Sequence, residues 1–250
     1  MLDANTATKL RDMRLGTMAE TFDGQLSDSG YGQMSFEERF GLIVDAEWVK
    51  RQNSRMSRLI RNANYAISGA CVEDIDYRED RNLDRNLIKR LETCGYVEER
   101  RNILILGPTG AGKTYLANAL GMAASRKRYA VKYAKLPDLL SELAIARDEG
   151  NYRKAVKPYR QARLLILDEW LLFPLQGNEA KELFNLVDAR MGEGASIICS
   201  QFDVKGWHEK IGETAVADAI CDRVATGAHR IVIGGRESMR KREAASDANA

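Results

Sequence analysis

Between Arg101 and Thr114 an apolar strand pattern, Ile103-Leu104-Ile105-Leu106, runs straight into the turn Gly107-Pro108-Thr109-Gly110-Ala111-Gly112-Lys113-Thr114. Gly107, Gly110 and Gly112 let the backbone bend tightly and turn successive N–H groups inward, so that they ring a β-phosphate at a helix N-terminus. Lys113 then neutralises β- and γ-phosphate oxygens, and Thr114 Oγ1 ligates Mg²⁺. The cradle extends to Tyr115, the first apolar residue of a helical pattern that continues through Leu116, Ala119, Leu120 and Ala123. Taken alone, G-x-x-x-x-G-K-[ST] is moderately specific. A strand before it and a helix after it are the context that makes it a nucleoside triphosphate site rather than a glycine turn preceding a Lys-Thr pair.

The rest of the chain has the pattern such a turn requires. Apolar runs at Ala130–Ala134, Leu164–Leu167, Ser196–Cys199 and Arg230–Ile233 alternate with helical stretches, which predicts an α/β fold with a parallel sheet and helices on both faces. Before it, residues 6–70 read as helices: Leu10, Met13 and Leu15 in a first stretch, Phe36, Phe40, Ile43 and Val44 in a second, Val49, Met56, Leu59, Ile60 and Ala63 in a third. Ser27-Asp28-Ser29-Gly30-Tyr31-Gly32 separates the first two, and Ser35 with Glu38 forms a capping box. The expected organisation is a small all-α domain over 1–70, with Ile67–Cys71 as linker. A nucleotide-binding domain follows over 71–238, and a tail over 239–250 reads as disordered. At 250 residues and 44% hydrophobic content, the chain can bury one large core and one small one.

A second motif falls about fifty residues after the first. Leu164-Leu165-Ile166-Leu167-Asp168-Glu169 is a buried-strand pattern ending in two acids, and in an open α/β sheet the carboxyl ends of strands are where ligands bind. Asp168 would hold Mg²⁺, directly or through water. Glu169 would orient and polarise the attacking water, which favours hydrolysis over mere nucleotide holding. A helix N-cap is the competing reading of the pair. Further on, Ser200 or Gln201, at the end of a strand expected beside the P-loop strand, would hydrogen-bond the γ-phosphate or its water, unless they only form a turn. Arg223, on a late helix, reads from its neighbours as a surface partner of Asp222 or Asp218. No Asn/Thr-Lys-x-Asp segment for guanine is present.

The formal charge of +2 hides 38 basic and 36 acidic residues, so any affinity for nucleic acid must come from local patches. Cys71, Cys94, Cys199 and Cys221 are widely spaced, with only His208 and His229 beside them. Neither a zinc site nor a disulfide framework is indicated, and reduced thiols suit a cytoplasmic protein. No secretory leader and no run of 18 apolar residues is found, so no membrane role is expected.

The succession of the P-loop, Leu167-Asp168-Glu169-Trp170, Cys199-Ser200-Gln201 and Ala215–Arg223, with Phe36–Phe40 and Asp45–Trp48 before it, closely resembles IstB-type transposition helper ATPases. These belong with the DnaC-like helicase loaders among AAA+ P-loop proteins. The resemblance covers nearly the whole chain. It implies an ATP hydrolase that assembles on double-stranded DNA as a homo-oligomer and works with a separate transposase. By motif position, Lys113 and Thr114 are Walker A residues, Asp168 and Glu169 the Walker B pair, Ser200 and Gln201 the neighbourhood of sensor 1, and Arg223 an arginine finger. Two departures stand out. Only residues 234–250 follow the last strand, too few for the helical lid that carries a second sensor arginine, with Arg236 as a candidate substitute. Residues 136–161 fall where initiator-type relatives insert an extra helix, which implies a helical or spiral assembly over a flat ring.

Lys50, Arg51, Arg55, Arg58 and Arg61 crowd one helix, where Arg51, Arg55 and Arg58 share a face opposite Met56, Ile60 and Ala63. Such a face is commonly just solvated; given the resemblance, it is expected to bind phosphates, with Lys154 and Lys157 on the inserted segment as a second patch. No base-reading element is visible, so contact through the backbone, without sequence preference, is expected. The expected function is an ATP-dependent, self-assembling DNA-binding ATPase that selects or remodels target DNA and stimulates a transposase. A replicative helicase loader shares every catalytic feature and is the alternative; a small-molecule kinase would need an acceptor pocket and a mobile lid that the sequence lacks.

Overall fold

The structure, a computed structural model, describes residues 2–212 and 214–234. The chain divides into two compact units, Met1–Arg58 and Leu59–Ala250.

The first unit holds α1 (Leu2–Asp12), α2 (Gly16–Ser27) and most of α3 (Phe36–Ala63). The first helical stretch of the sequence is thus two helices, broken where Arg14 takes a left-handed conformation (φ 61°). The second and third stretches are one uninterrupted helix, since nothing between Val44 and Val49 breaks it. The capping box forms as read: Ser35 N–H donates to Glu38 Oε2 (2.8 Å) and Glu38 N–H to Ser35 Oγ (3.2 Å). Ala7, Ala19 and Ile43 are buried in this unit, and so is Glu47. The Glu47 carboxylate accepts from the N–H groups of Thr17 and Met18, doing at the start of α2 what its N-cap residue Leu15 does not. Arg51 Nε completes the arrangement at 2.7 Å from Glu47 Oε1, and Arg51 Nη2 donates to the Arg14 carbonyl. Arg51, grouped above with the phosphate-binding candidates, is therefore engaged inside its own unit, while Lys50, Arg55 and Arg58 are exposed.

The Arg51 hydrogen bond, with help from the two backbone donors, holds the Glu47 carboxyl below its ordinary value of 4.5. A lowered folded value means that the stabilisation is fully present above about pH 4.5 and is lost as pH falls through the folded value. Glu47→Gln is expected to destabilise the first unit by about 1 kcal/mol at neutral pH, as loss of a helix N-terminal acceptor does, and to flatten its acid-unfolding profile. Melting curves followed by circular dichroism between pH 3 and pH 7 check both.

The second unit is built on a five-stranded all-parallel sheet in the order β2-β3-β4-β1-β5. After α4 (Arg85–Glu92) and α5 (Gly95–Glu98) come β1 (Ile103–Leu106), α6 (Lys113–Arg126), β2 (Val131–Lys135), α7 (Leu136–Asp148), α8 (Tyr152–Gln161), β3 (Leu164–Asp168), α9 (Glu179–Arg190), β4 (Ala195–Ser200), α10 (Val204–Ile211), α11 (Thr214–Ala225) and β5 (His229–Val232). Alternate strand residues point to opposite faces. Ile103, Ile105, Ile166 and Ile197 pack with α4, α5 and α6; Leu104, Leu165, Leu167 and Ile198 pack with α7 to α11. Burial on both faces explains why these strands are continuous apolar runs rather than alternating ones.

The division between units falls before the 70/71 boundary drawn from sequence. Ala63 and Ala70 lie in the core of the second unit with Tyr65 packed against it, and the stretch read as a linker is hydrogen-bonded to α6. Tyr65 Oη meets Ser125 Oγ at 2.7 Å, Ile67 N–H reaches Asn118 Oδ1, and Cys71 N–H reaches Tyr115 Oη. All four cysteines are free, and no helix among the described residues is long and apolar enough to cross a membrane. Arg236 and the 239–250 tail lie outside the described residues.

Candidate nucleotide site

The carboxyl ends of β1, β3 and β4 lie side by side, because β4 is hydrogen-bonded to both β1 and β3. The loop after β1 passes Gly107, Gly110 and Gly112 at positive φ and delivers Lys113 and Thr114 as the first residues of α6. Gly107 is required by space as well: a Cβ there would lie 2.5 Å from the Ile233 carbonyl oxygen. Lys113 Nζ folds back onto the carbonyls of Gly107 (2.7 Å) and Pro108 (2.8 Å), within the loop it would leave to meet phosphate.

Across the cleft, Thr114 Oγ1 donates to Asp168 Oδ2 at 2.7 Å, so the two motifs, far apart in sequence, meet at one point. Asp168 is buried; Tyr133 Oη donates to the same oxygen at 3.0 Å, and Glu169 N–H donates to Oδ1. Burial and the neighbouring carboxylate both push the Tyr133 hydroxyl well above its ordinary range, so it remains a donor. Glu169 sits at φ 53°, a backbone conformation that side-chain-bearing residues take only under constraint, and its carboxylate pairs with Lys135 Nζ at the end of β2, 2.8 Å away. That pair raises the Lys135 ammonium above its usual value.

A cavity of about 460 Å³ opens between these groups. Thr109, Gly110, Gly112, Lys113, Thr114, Tyr115, Asp168 and Glu169 line it, together with Gln201 and Cys199. Ala66, Ile67, Tyr133 and Lys135 also line it and escape the sequence reading; Ala66 and Ile67 offer an apolar wall beside the P-loop, and no motif signals them. Ser200 is different. Its hydroxyl donates to the Trp170 carbonyl and accepts from Trp207 Nε1 (3.0 Å) and Phe202 N–H, inside a buried contact in which the Trp170 and Trp207 rings meet edge-on at 5.6 Å. Of the two candidates at the end of β4, Ser200 is used by the fold and Gln201 reaches the cavity.

A bound Mg²⁺ fits the donor set. The converging Thr114 hydroxyl and Asp168 carboxylate are hard oxygen donors. That is the ligand count expected where phosphates supply the remaining oxygens.

Arg223 lies elsewhere. Asn102, the residue before β1, donates its amide to the Arg223 carbonyl, which puts Arg223 at the amino end of the sheet. The four residues of β1, roughly 13 Å at about 3.3 Å each, separate that end from the P-loop. Its guanidinium pairs with Asp188 (2.9 Å) and sits 4.8 Å over the Phe184 ring. Asp188 on α9, not Asp222 or Asp218, is its partner. Lys154 and Lys157 are exposed on α8, and Arg61 on the last turn of α3.

A parallel sheet in this strand order, with a P-loop after β1 and an Asp-Glu pair closing β3, defines a P-loop ATPase of the AAA+ class. Its backbone resembles the DnaC helicase loader with a TM-score of 0.57 at 20% identity, covering 66% of this chain and 96% of that one, a likeness of fold alone. The sequence goes further: residues 8–247 match the family of IstB-like ATP binding proteins, and the chain belongs to that family. An insertion sequence ATP-binding protein of Sinorhizobium fredii is 38% identical over 243 residues, 97% of this chain and 98% of its own length. The ATP-binding protein of insertion sequence IS1162 from Pseudomonas fluorescens is 37% identical over 201 residues, 80% of this chain and 87% of that one.

Proposed function

We propose that the chain is the ATPase of an insertion sequence: it binds Mg-ATP between the P-loop and Asp168, assembles with further copies of itself on double-stranded DNA, and prepares target DNA for a partner transposase. The observation that carries this reading is the near end-to-end similarity to insertion sequence ATP-binding proteins, and a cavity lined by Lys113, Thr114, Asp168 and Glu169 supports it. The helicase loader reading has only the shared fold behind it.

Chemically, the loop N–H groups and Lys113 hold the β- and γ-phosphates, and Ala66 and Ile67 offer the base an apolar wall. Mg²⁺ would add positive charge where the γ-phosphoryl group carries its developing negative charge. Once Glu169 leaves Lys135, it positions water in line with that group, while Gln201 reaches the same space from β4. Lys50, Arg55, Arg58 and Arg61, with Lys154 and Lys157, meet DNA phosphates. Each phosphate contact steepens the fall of log affinity with log salt by about 0.9.

Arg223, a strand length from its own P-loop, serves a neighbouring copy. Arg223→Ala is expected to keep ATP binding and to lose hydrolysis by roughly 10³-fold or more. Mixing it with Lys113→Ala, which has no working site but an intact arginine, is expected to restore part of the steady-state phosphate release. Mixtures as inactive as either variant alone would contradict a shared site.

A further inference from the structure

Among the described residues, Arg81 is an uncommon case: a charged side chain only 5% exposed and belonging to neither nucleotide motif. It ends a short 3₁₀ turn, Glu79–Arg81, in a run of charges, Arg78-Glu79-Asp80-Arg81. Its guanidinium points under the P-loop. Arg81 Nη2 donates to the Ala111 carbonyl at 2.9 Å, and Nη1 donates to the Asp76 carbonyl. Its own carbonyl accepts from Gly234 N–H at 3.0 Å. Gly234 is packed so closely here that a Cβ would lie 2.7 Å from the Asp80 carbonyl oxygen, and the residue before it, Ile233, is the one that presses on Gly107. Contacts therefore run in a closed circuit: Gly107 to Ile233, Gly234 to Arg81, and Arg81 back to Ala111.

We propose that Arg81 is a positioning residue for the triphosphate: its guanidinium fixes the Ala111–Gly112 peptide so that the Gly112 N–H is aimed at phosphate and polarised as a donor. A cationic donor on a carbonyl strengthens the N–H of the same peptide, because bonded dipoles polarise one another. The inference rests on the reading of the P-loop as an ATP site.

The test uses the full chain with Arg81→Met, which keeps volume and removes the donors, and Arg81→Lys, which keeps the charge. ATP affinity is measured by calorimetry, and the Gly112 amide is followed by NMR after ¹⁵N-glycine labelling. Arg81→Met is expected to weaken ATP and ADP about tenfold and to move the Gly112 amide proton upfield; Arg81→Lys recovers part of both. Should Arg81→Met fail to fold, the Lys variant decides by the same two readouts. A lower melting temperature with ATP affinity within about twofold of the parent and an unmoved Gly112 amide would show a merely structural arginine and overturn the proposal. Lys113→Ala is measured alongside: if it too binds ATP normally, the site itself is misread, whereas loss of binding there with none at Arg81 defeats this inference only.

Discussion

Lys113→Ala is expected to weaken ATP binding by roughly 100-fold or more and to remove hydrolysis with it. The Lys113 ammonium is held by the Gly107 and Pro108 carbonyls, directly over the space lined by Thr109, Gly110 and Gly112. A bound triphosphate would replace those neutral carbonyls with anionic oxygens, and hydrogen bonds to charged groups contribute about 1.5–3 kcal/mol each, or about tenfold in affinity per 1.4 kcal/mol. Two such contacts are lost together. The loop should otherwise survive, because its shape depends on Gly107, Gly110 and Gly112 and on the seat of Gly107 against Ile233 rather than on the lysine. Equilibrium titration with a fluorescent ATP analogue checks the affinity, and an unchanged melting temperature checks the shape.

The second large effect falls on turnover and leaves binding alone. Glu169→Gln removes the group that polarises water but keeps its size, and it touches neither the loop nor the Thr114 to Asp168 contact. A positioned general base is worth typically 10²- to 10⁴-fold, so phosphate release should fall by about that factor while ATP affinity changes little. The variant also breaks the ion pair with Lys135, which holds the carboxylate at the end of β2. Because both partners are more than a third exposed or nearly so, that loss has a small effect on stability, below about 1 kcal/mol. Tight ATP binding with slow release is the expected pairing. Turnover near that of the parent would remove Glu169 from the water-positioning role.

The strands, the P-loop and the acid pair were legible because each is encoded locally. A buried parallel strand must be an apolar run, a loop that turns its N–H groups inward must carry glycine, and the strand that ends in Asp168 announces itself by the charge that follows four apolar residues. The expected pairing of the strand before Ser200 with the P-loop strand is also present, with Ile103 opposite Ile197. What escaped depends on partners far away in sequence. Whether Ser200 or Gln201 faces the cavity is decided by Trp170 and Trp207, which take up the serine hydroxyl. Arg51 looks like any other arginine of α3 until Glu47 is seen collecting it together with the start of α2. The glycine in Ile67–Cys71 suggests a linker, yet Asn118 and Tyr115 on α6 capture its backbone. Arg81 stands in a run of charges, and its bond to the distant Ala111 carbonyl is visible in the fold and not in the sequence. Arg223 shows the converse: sequence offers Asp222 and Asp218 as near neighbours, and the fold chooses Asp188 on another helix.

The claim at the centre of this account is that ATP, held at Lys113, Thr114 and Asp168, joins copies of the chain into an assembly on DNA. Analytical ultracentrifugation of the intact chain with long duplex DNA, with and without saturating Mg-ATP, tests it most directly. Fast-sedimenting protein–DNA assemblies are expected with Mg-ATP, and they are expected to disappear without nucleotide and in Lys113→Ala. A single slow species of monomer size under all of these conditions would contradict it.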